Sequence, residues 1–289
     1  MRALVPFHVE DNVLDTIASS GWLSSRVAVL QTEEQATKFY NEVIQIPWSE
    51  TRAEVFLESN VKIDGLMPIR GAQTATFHYA FEDDLPKVLK IPEAQLKVSR
   101  ECALYEQLGA LAEEKSLAMV PVRKLKLRGG IRTNRVSPEK LVHEGILMPP
   151  YWCTLGDIPA PVSKKRLLDV LSRVSMALKF IHANNWIHGD LKPHNIFIDA
   201  KGVAWLGDYG SSVPMASASL FTGGTPKYQL TCVTIADGGR LDRFGLALSL
   251  LEALGVRYDV NWTVEEIRSN VSESIKDADI RSGLMDLFQ

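Results

Sequence analysis

A chain of 289 residues, 46% of them hydrophobic, has enough apolar material for a sizeable core, which excludes global disorder. Its formal charge of −3 gives no whole-chain case for nucleic acid or an anionic membrane as partner. Three cysteines, Cys102, Cys153 and Cys232, share no metal-ligand spacing and cannot all pair within the chain, which points to a reducing compartment, cytoplasmic or nuclear. No apolar run reaches transmembrane length, and the N-terminus lacks a signal-peptide layout. There is no internal repeat and no low-complexity tract.

The first predicted element is an amphipathic helix over Glu33–Ile46, with Ala36, Phe39, Tyr40, Val43 and Ile44 at helical spacing. Glu54 to Ile63 reads as one or two strands. Val88-Leu89-Lys90-Ile91 is a short apolar run with one embedded lysine, and a lysine so flanked ordinarily snorkels. Arg100 to Leu108 reads as a helix whose apolar face carries Leu104, Tyr105 and Leu108. Strands over Val120–Leu127 and Leu141–Met148 bracket a loop with Arg128, Arg132 and Arg135, read as a solvated surface. Ser163 is a suitable N-cap for a long helix, Lys164–His182, with Leu167, Leu168, Leu171, Val174, Leu178 and Ile181 facing inward.

That helix delivers the chain to Ile187-His188-Gly189-Asp190-Leu191-Lys192-Pro193-His194-Asn195, which closes in a strand-like run, Ile196–Ile198. One carboxylate, one ammonium and one carboxamide sit at fixed offsets on this Pro-containing loop. Asp190 can accept the proton of an attacking hydroxyl, Lys192 can offset charge on a transferring phosphoryl group, and Asn195 offers a neutral oxygen to Mg²⁺. The bland alternative, that His188 and Asp190 merely cap a turn, leaves Lys192 and Asn195 unaccounted for. A second strand-like run, Val203–Leu206, leads to Gly207-Asp208-Tyr209-Gly210, where a carboxylate in a tight glycine turn makes a good second metal ligand. A hydroxyl-rich stretch follows to Thr225, with Ser211, Ser212, Ser217, Ser219 and Thr222 phosphorylatable in principle. Leu241–Glu252 reads as a buried helix, and Val264–Ile275 and Ile280–Phe288 as two more.

The loop from His188 to Asn195 resembles the HRDxKxxN catalytic loop of protein kinases, and Asp208-Tyr209-Gly210 resembles their DFG turn. The resemblance implies an α+β, two-lobed protein-kinase-like fold: a small, mostly β N-lobe with an αC helix at about 65–148, and a larger, mostly helical C-lobe at about 149–289. Residues 1–64 are then an extension, either packed on the small lobe or regulatory and partner-binding. Lys90 resembles the V-A-I-K lysine, and Glu101 takes the αC position that pairs with it to set the α- and β-phosphates, with Glu106 as fallback. By position, Gly71 and Thr74 belong to the phosphate loop, where Gly71 alone survives of three glycines. Leu147 and Met148 lead into the hinge that would meet adenine. Gly224-Thr225-Pro226-Lys227-Tyr228 resembles the GTPxY end of a Ser/Thr-kinase activation segment, its threonine bonded to the catalytic Asp and Lys. Leu241–Glu252 resembles the αF helix, with Asp242 tied to the catalytic-loop backbone.

The function implied is ATP- and Mg²⁺-dependent transfer of the γ-phosphoryl group to a protein Ser/Thr hydroxyl. Asp190, Lys192 and Lys90 would be catalytic, and Asn195 and Asp208 would hold Mg²⁺. Gly189 stands where many kinases have the arginine that receives an activation-loop phosphate, so switching of that kind is not expected. Two other readings remain. The Gly189 variant also resembles small-molecule kinases. The sparse glycine loop, a hinge proline (Pro150) without an N–H for adenine, Gln229-Leu230-Thr231 in place of A-P-E, and a short tail fit a pseudokinase scaffold.

Overall fold

The structure is a computed structural model and describes residues 61–69, 75–82, 85–92, 95–132, 141–220, 223–229 and 237–289. The expected helix Glu33–Ile46, most of the extension, and Gly71 and Thr74 lie outside the described residues.

The small lobe is an antiparallel sheet of β1 (Val61–Ile69), β2 (Ala75–Glu82), β3 (Leu85–Pro92), β4 (Arg123–Arg132) and β5 (Leu141–Met148), ordered β1-β2-β3-β5-β4. β1 runs across the boundary expected at residue 64. Side chains alternate across a strand. In β3, Leu89 and Ile91 therefore fill one face, both fully buried, while Lys90 points to the other, opposite Ile146 of β5. One helix, α1 (Gln95–Glu114), crosses from β3 to β4 and packs Val98, Cys102, Leu104 and Leu108 into the main core. It extends past Arg100–Leu108 at both ends. β4 likewise runs beyond Leu127, so Arg128 and Arg132 belong to a strand and not to the expected loop. Gly129 and Gly130 give the appearance of a loop, but the register shift between Lys126 and Ile131 absorbs them as a bulge.

The large lobe is built on α2 (Lys164–Ala183) and α3 (Gly238–Ala253). Ser163 caps α2 by accepting from Arg166 N, and the buried line Leu167, Val170, Val174, Leu178 and Ile181 faces the core. α3 buries Leu241, Phe244, Leu246, Ala247, Leu248, Leu250 and Leu251, residues from all sides of the helix, as a core helix does. Two capped helices finish the chain. α4 (Val264–Ser274) opens on a Thr263–Glu266 capping box, and Asp277 caps α5 (Ala278–Leu287). Among the described residues no helix is long and apolar enough to cross a membrane.

The large lobe also carries short strands: β6 (Cys153–Thr154), β7 (Trp186–Ile187), β8 (Ile196–Ile198), β9 (Ala204–Leu206) and β10 (Val213–Pro214). The β8–β9 hairpin matters most for the site. Pairing Ile196 with Leu206 sets the residue before β8 beside the residue after β9, and Gly207 N donates to Asn195 O at 3.0 Å. Asn195 and Asp208, thirteen positions apart, thus share one end of the hairpin. β7 pairs with β10 and fixes the chain on either side of both loops.

Phe244 is fully buried and stacks at a tilt on Phe288, 5.4 Å between centroids, which ties the last helix to α3. Phe244→Ala should destabilise the protein by about 3–5 kcal/mol, read as a lower urea midpoint at unchanged slope.

Candidate active site

The catalytic-loop candidate is held from below by one buried carboxylate. Asp242, in the first turns of α3, accepts from His188 N and Gly189 N, one oxygen each, both at 2.8 Å. His182 Nε2 reaches the same carboxylate at 2.8 Å. Gly189 has φ +83°, a left-handed conformation that a side chain would strain. The His188 ring sits edge-on to Tyr209, and its Nε2 donates to Gly207 O at 3.0 Å, so the two loops are fastened to each other.

Above that floor the polar groups converge on Asp190. Lys192 Nζ donates to Asp190 Oδ2 at 2.6 Å, and Thr225 Oγ1 donates to Oδ1 at 2.7 Å. Lys192 also reaches Thr225 Oγ1 at 3.0 Å. Asn195 Nδ2 donates to Asp190 O at 2.7 Å, which leaves the amide oxygen of Asn195 as its remaining acceptor. Tyr228, past Thr225, donates to Glu252 of α3 at 2.9 Å, and Ser212 Oγ donates to His188 O at 3.2 Å. The ends of the segment after Asp208 are therefore anchored to the loop and to α3.

The second cluster joins the lobes. Lys90 Nζ donates to Glu101 Oε1 at 2.8 Å and to Asp208 Oδ1 at 2.7 Å. Burial alone would lower the Lys90 pKa; Asp208 and Glu101 outweigh it and hold the ammonium above its ordinary value. Burial alone would likewise raise Asp208, but the Lys90 ammonium beside it keeps its carboxyl below the usual range. Asp208 has φ +61°, and Tyr209 OH, donating to Leu206 O at 2.7 Å, pins the turn that holds it there. The Tyr209 ring stacks on Tyr105 of α1, 6.3 Å between centroids.

Of the residues singled out from sequence, Lys90, Glu101 and Asp208 form one cluster and Asp190, Lys192, Asn195 and Thr225 the other. Met148 lies on the same sheet face as Lys90 and is buried. Leu147 pairs with Leu89 on the opposite face, so it could offer the cleft only its backbone. Glu106 is exposed and makes no contact with Lys90, leaving Glu101 as the partner. Two contacts had no sequence signal. His182 meets Asp242 across 60 positions, and Gln107 of α1 accepts from Trp186 Nε1 across 79.

The donor set suits Mg²⁺. Asn195 and Asp208 present hard oxygens at one end of a hairpin, and Mg²⁺ takes few protein ligands because phosphate oxygens and water complete its shell. Among the described residues no group of three or more His, Cys, Asp or Glu forms a metal cage.

A two-lobed body with a Lys–Glu–Asp cluster bridging the lobes over an Asp-Lys-Asn loop defines the protein-kinase fold. Comparisons agree. The family model for the protein kinase domain matches residues 156–235. The rat serine/threonine-protein kinase TAO2 is 32% identical over 97 residues, 32% of this chain and 8% of that protein. PrkC, a serine/threonine-protein kinase of Bacillus subtilis, is 30% identical over 77 residues, 27% of this chain and 11% of PrkC. This chain thus matches only a small part of either relative's length. Among solved structures, the ROP18 kinase domain in complex with AMP-PNP and sucrose superposes with a TM-score of 0.62 at 16% identity, over 99% of this chain and 90% of that one. ROP2 from Toxoplasma gondii, described as having a protein-kinase fold and no enzymatic activity, also gives 0.62, at 14% identity over 96% and 88%. The fold is that of a eukaryotic-type protein kinase domain, and the matched segment 156–235 holds both the His188–Asn195 loop and the Asp208 turn.

Two outcomes test the geometry. Asp242→Ala strands two buried backbone donors and should cost at least about 3 kcal/mol by urea denaturation. Asp208 titrates lower folded than unfolded, so its contribution holds above the ordinary carboxylate range and fades as pH falls through the lowered value. Lys90→Met removes the cation that depresses it, so this acid-labile contribution should disappear: the variant should be less stable near neutral pH yet lose less further stability on acidification than the unaltered protein, followed by urea denaturation at each pH.

Proposed function

We propose that this protein is an ATP- and Mg²⁺-dependent phosphotransferase that passes the γ-phosphoryl group to a Ser or Thr hydroxyl of a protein. The observation that carries the reading is the convergence of Lys192, Thr225 and Asn195 on Asp190 beside an intact Lys90–Glu101–Asp208 cluster.

In this reading Asp190 orients the acceptor hydroxyl and takes its proton, in the place Thr225 Oγ1 now occupies against Oδ1. Lys192, 2.6 Å from Asp190, offsets charge on the phosphoryl group in transit. Lys90 sets the α- and β-phosphates and stays charged because Glu101 and Asp208 hold its proton. Asn195 and Asp208 hold Mg²⁺, which neutralises phosphate charge when bound. Met148 and the backbone of Leu147 lead to the base site, and Gly71 and Thr74 belong to the phosphate loop. The kinase domain is taken as 65–289, with the lobes meeting at 148/149. The buried thiols Cys102 and Cys153, both unpaired, suit a reducing compartment, cytoplasmic or nuclear. The Gly-Thr-Pro-Lys-Tyr segment favours a protein acceptor over a small molecule, and the AMP-PNP complex of ROP18 supports ATP as donor.

The competing reading is a pseudokinase scaffold. It is favoured by the equal likeness to ROP2 and by Pro149 and Pro150, neither of which can donate an N–H to a base.

The two readings separate on nucleotide and acceptor together. ATP·Mg²⁺ at a hundredfold excess over Kd should raise the melting temperature by about 5–10 °C, an effect Asp208→Ala removes. Transfer to a generic protein acceptor should fall about 10²–10⁴-fold in Asp190→Ala. A thermal shift without transfer would assign the chain to the scaffold class.

A further inference from the structure

We propose that Gln107 and Trp186 are a positioning pair that keeps the Glu101 helix docked on the catalytic loop. The proposal deepens the phosphotransferase reading and rests on it for its kinetic consequence.

Lys90 grips α1 through Glu101. The apolar side chains Val98, Cys102, Leu104 and Leu108 of α1 pack into the core, but apolar packing is non-directional, so a helix oriented by one ion pair at Glu101 can still pivot. Gln107 lies six residues on, a rise of about 9 Å. Its Oε1 accepts from Trp186 Nε1 at 3.1 Å, a second attachment that makes such a pivot costly. Tyr105 adds ring stacking on Tyr209 between the two, but a stacked pair of rings can slide, whereas a hydrogen bond fixes a direction.

Trp186 is placed to transmit the constraint. It is 7% exposed and packed in the main core, so its ring is held firmly. Its indole nitrogen is a donor only and finds its acceptor in Gln107. It is the first residue of β7, two before His188, and β7 pairs with β10 of the segment after Asp208. One side chain therefore ties the Glu101 helix to the root of the Asp190 loop and to the strand beyond the Asp208 turn. Gln107 is exposed on α1, so nothing in core packing explains its glutamine.

The test uses the full chain with Gln107→Ala, Trp186→Phe, the pair combined, and Gln107→Glu, which keeps an acceptor. Gln107→Ala leaves the Trp186 donor unpaired but gains helix propensity at an exposed position, so it should still fold, with a melting temperature lower by only a few degrees. We expect kcat to fall between about twofold and tenfold in Gln107→Ala and Trp186→Phe, with KM for the acceptor unchanged. The double variant should be no worse than the worse single, and Gln107→Glu should keep near-full activity. Amide hydrogen exchange of residues 101–114 should quicken in both single variants and not in Gln107→Glu. Additive losses, or exchange unchanged in Gln107→Ala, would overturn the proposal. If the unaltered protein transfers no phosphate, the phosphotransferase reading fails, and the exchange measurement alone still decides whether the pair docks the helix.

Discussion

The carboxylate of Asp242 is the constraint on which the site depends. It is 1% exposed, at the start of a helix with buried residues on every side. A buried carboxylate is tolerated only where donors surround it. Here the donors are two consecutive backbone N–H groups of the His188–Asn195 loop and the ring of His182. The loop cannot rearrange without stranding that charge, so the position of Asp190 follows from the interior of the large lobe and not from its own surface contacts. Gly189 is part of the same arrangement. Presenting two successive N–H groups to one carboxylate bends the chain into positive φ, where glycine is strain-free.

A second buried charge system answers the first. Lys90 stands between Glu101 and Asp208, from the helix of one lobe and the turn at the edge of the other. One cation between two anions leaves a net negative charge. Such a trio offers little as a stabiliser, because desolvation offsets most of what the pairing returns. It gives geometry instead. The helix, the β3 strand and the Asp208 turn must be brought together for the lysine to be satisfied, and Asp208 keeps a second oxygen for another cation.

Much of this was legible in the sequence, for reasons that can be traced. The Asp-Lys-Asn offsets and the Asp in its glycine turn are local, so both motifs could be picked out from sequence, and the short β8–β9 hairpin brings Asn195 and Asp208 to one end. The Ser163 cap and the inward line of α2 follow from helical periodicity. What was not legible is what depends on long-range packing. The stretch around Arg128 and Arg132 reads as a loop until the bulge in β4 is seen. Leu147 and Met148 look equivalent until sheet register puts them on opposite faces. His182–Asp242 and Gln107–Trp186 join residues whose sequence neighbourhoods contain no hint of each other.

The same energetics bear on whether the fold is kept for chemistry. An apolar trio of similar volume in place of Lys90, Glu101 and Asp208 would be neutral or stabilising for a domain that serves only as a scaffold. Lys192 adds to the cost. Its ammonium is held 2.6 Å from Asp190 and 3.0 Å from Thr225, pointing inward where a surface lysine would be better hydrated. The charged groups themselves lie outside the apolar core, which runs from α1 through α2 and α3 to the contact of Phe244 with Phe288. Groups that cost free energy and leave packing unaffected are explained by what they bind. In the phosphotransferase reading proposed above, Pro149 and Pro150 offer a base no N–H whereas Lys90, Glu101 and Asp208 keep their charges, so nucleotide affinity would rest on phosphate and metal more than on the base.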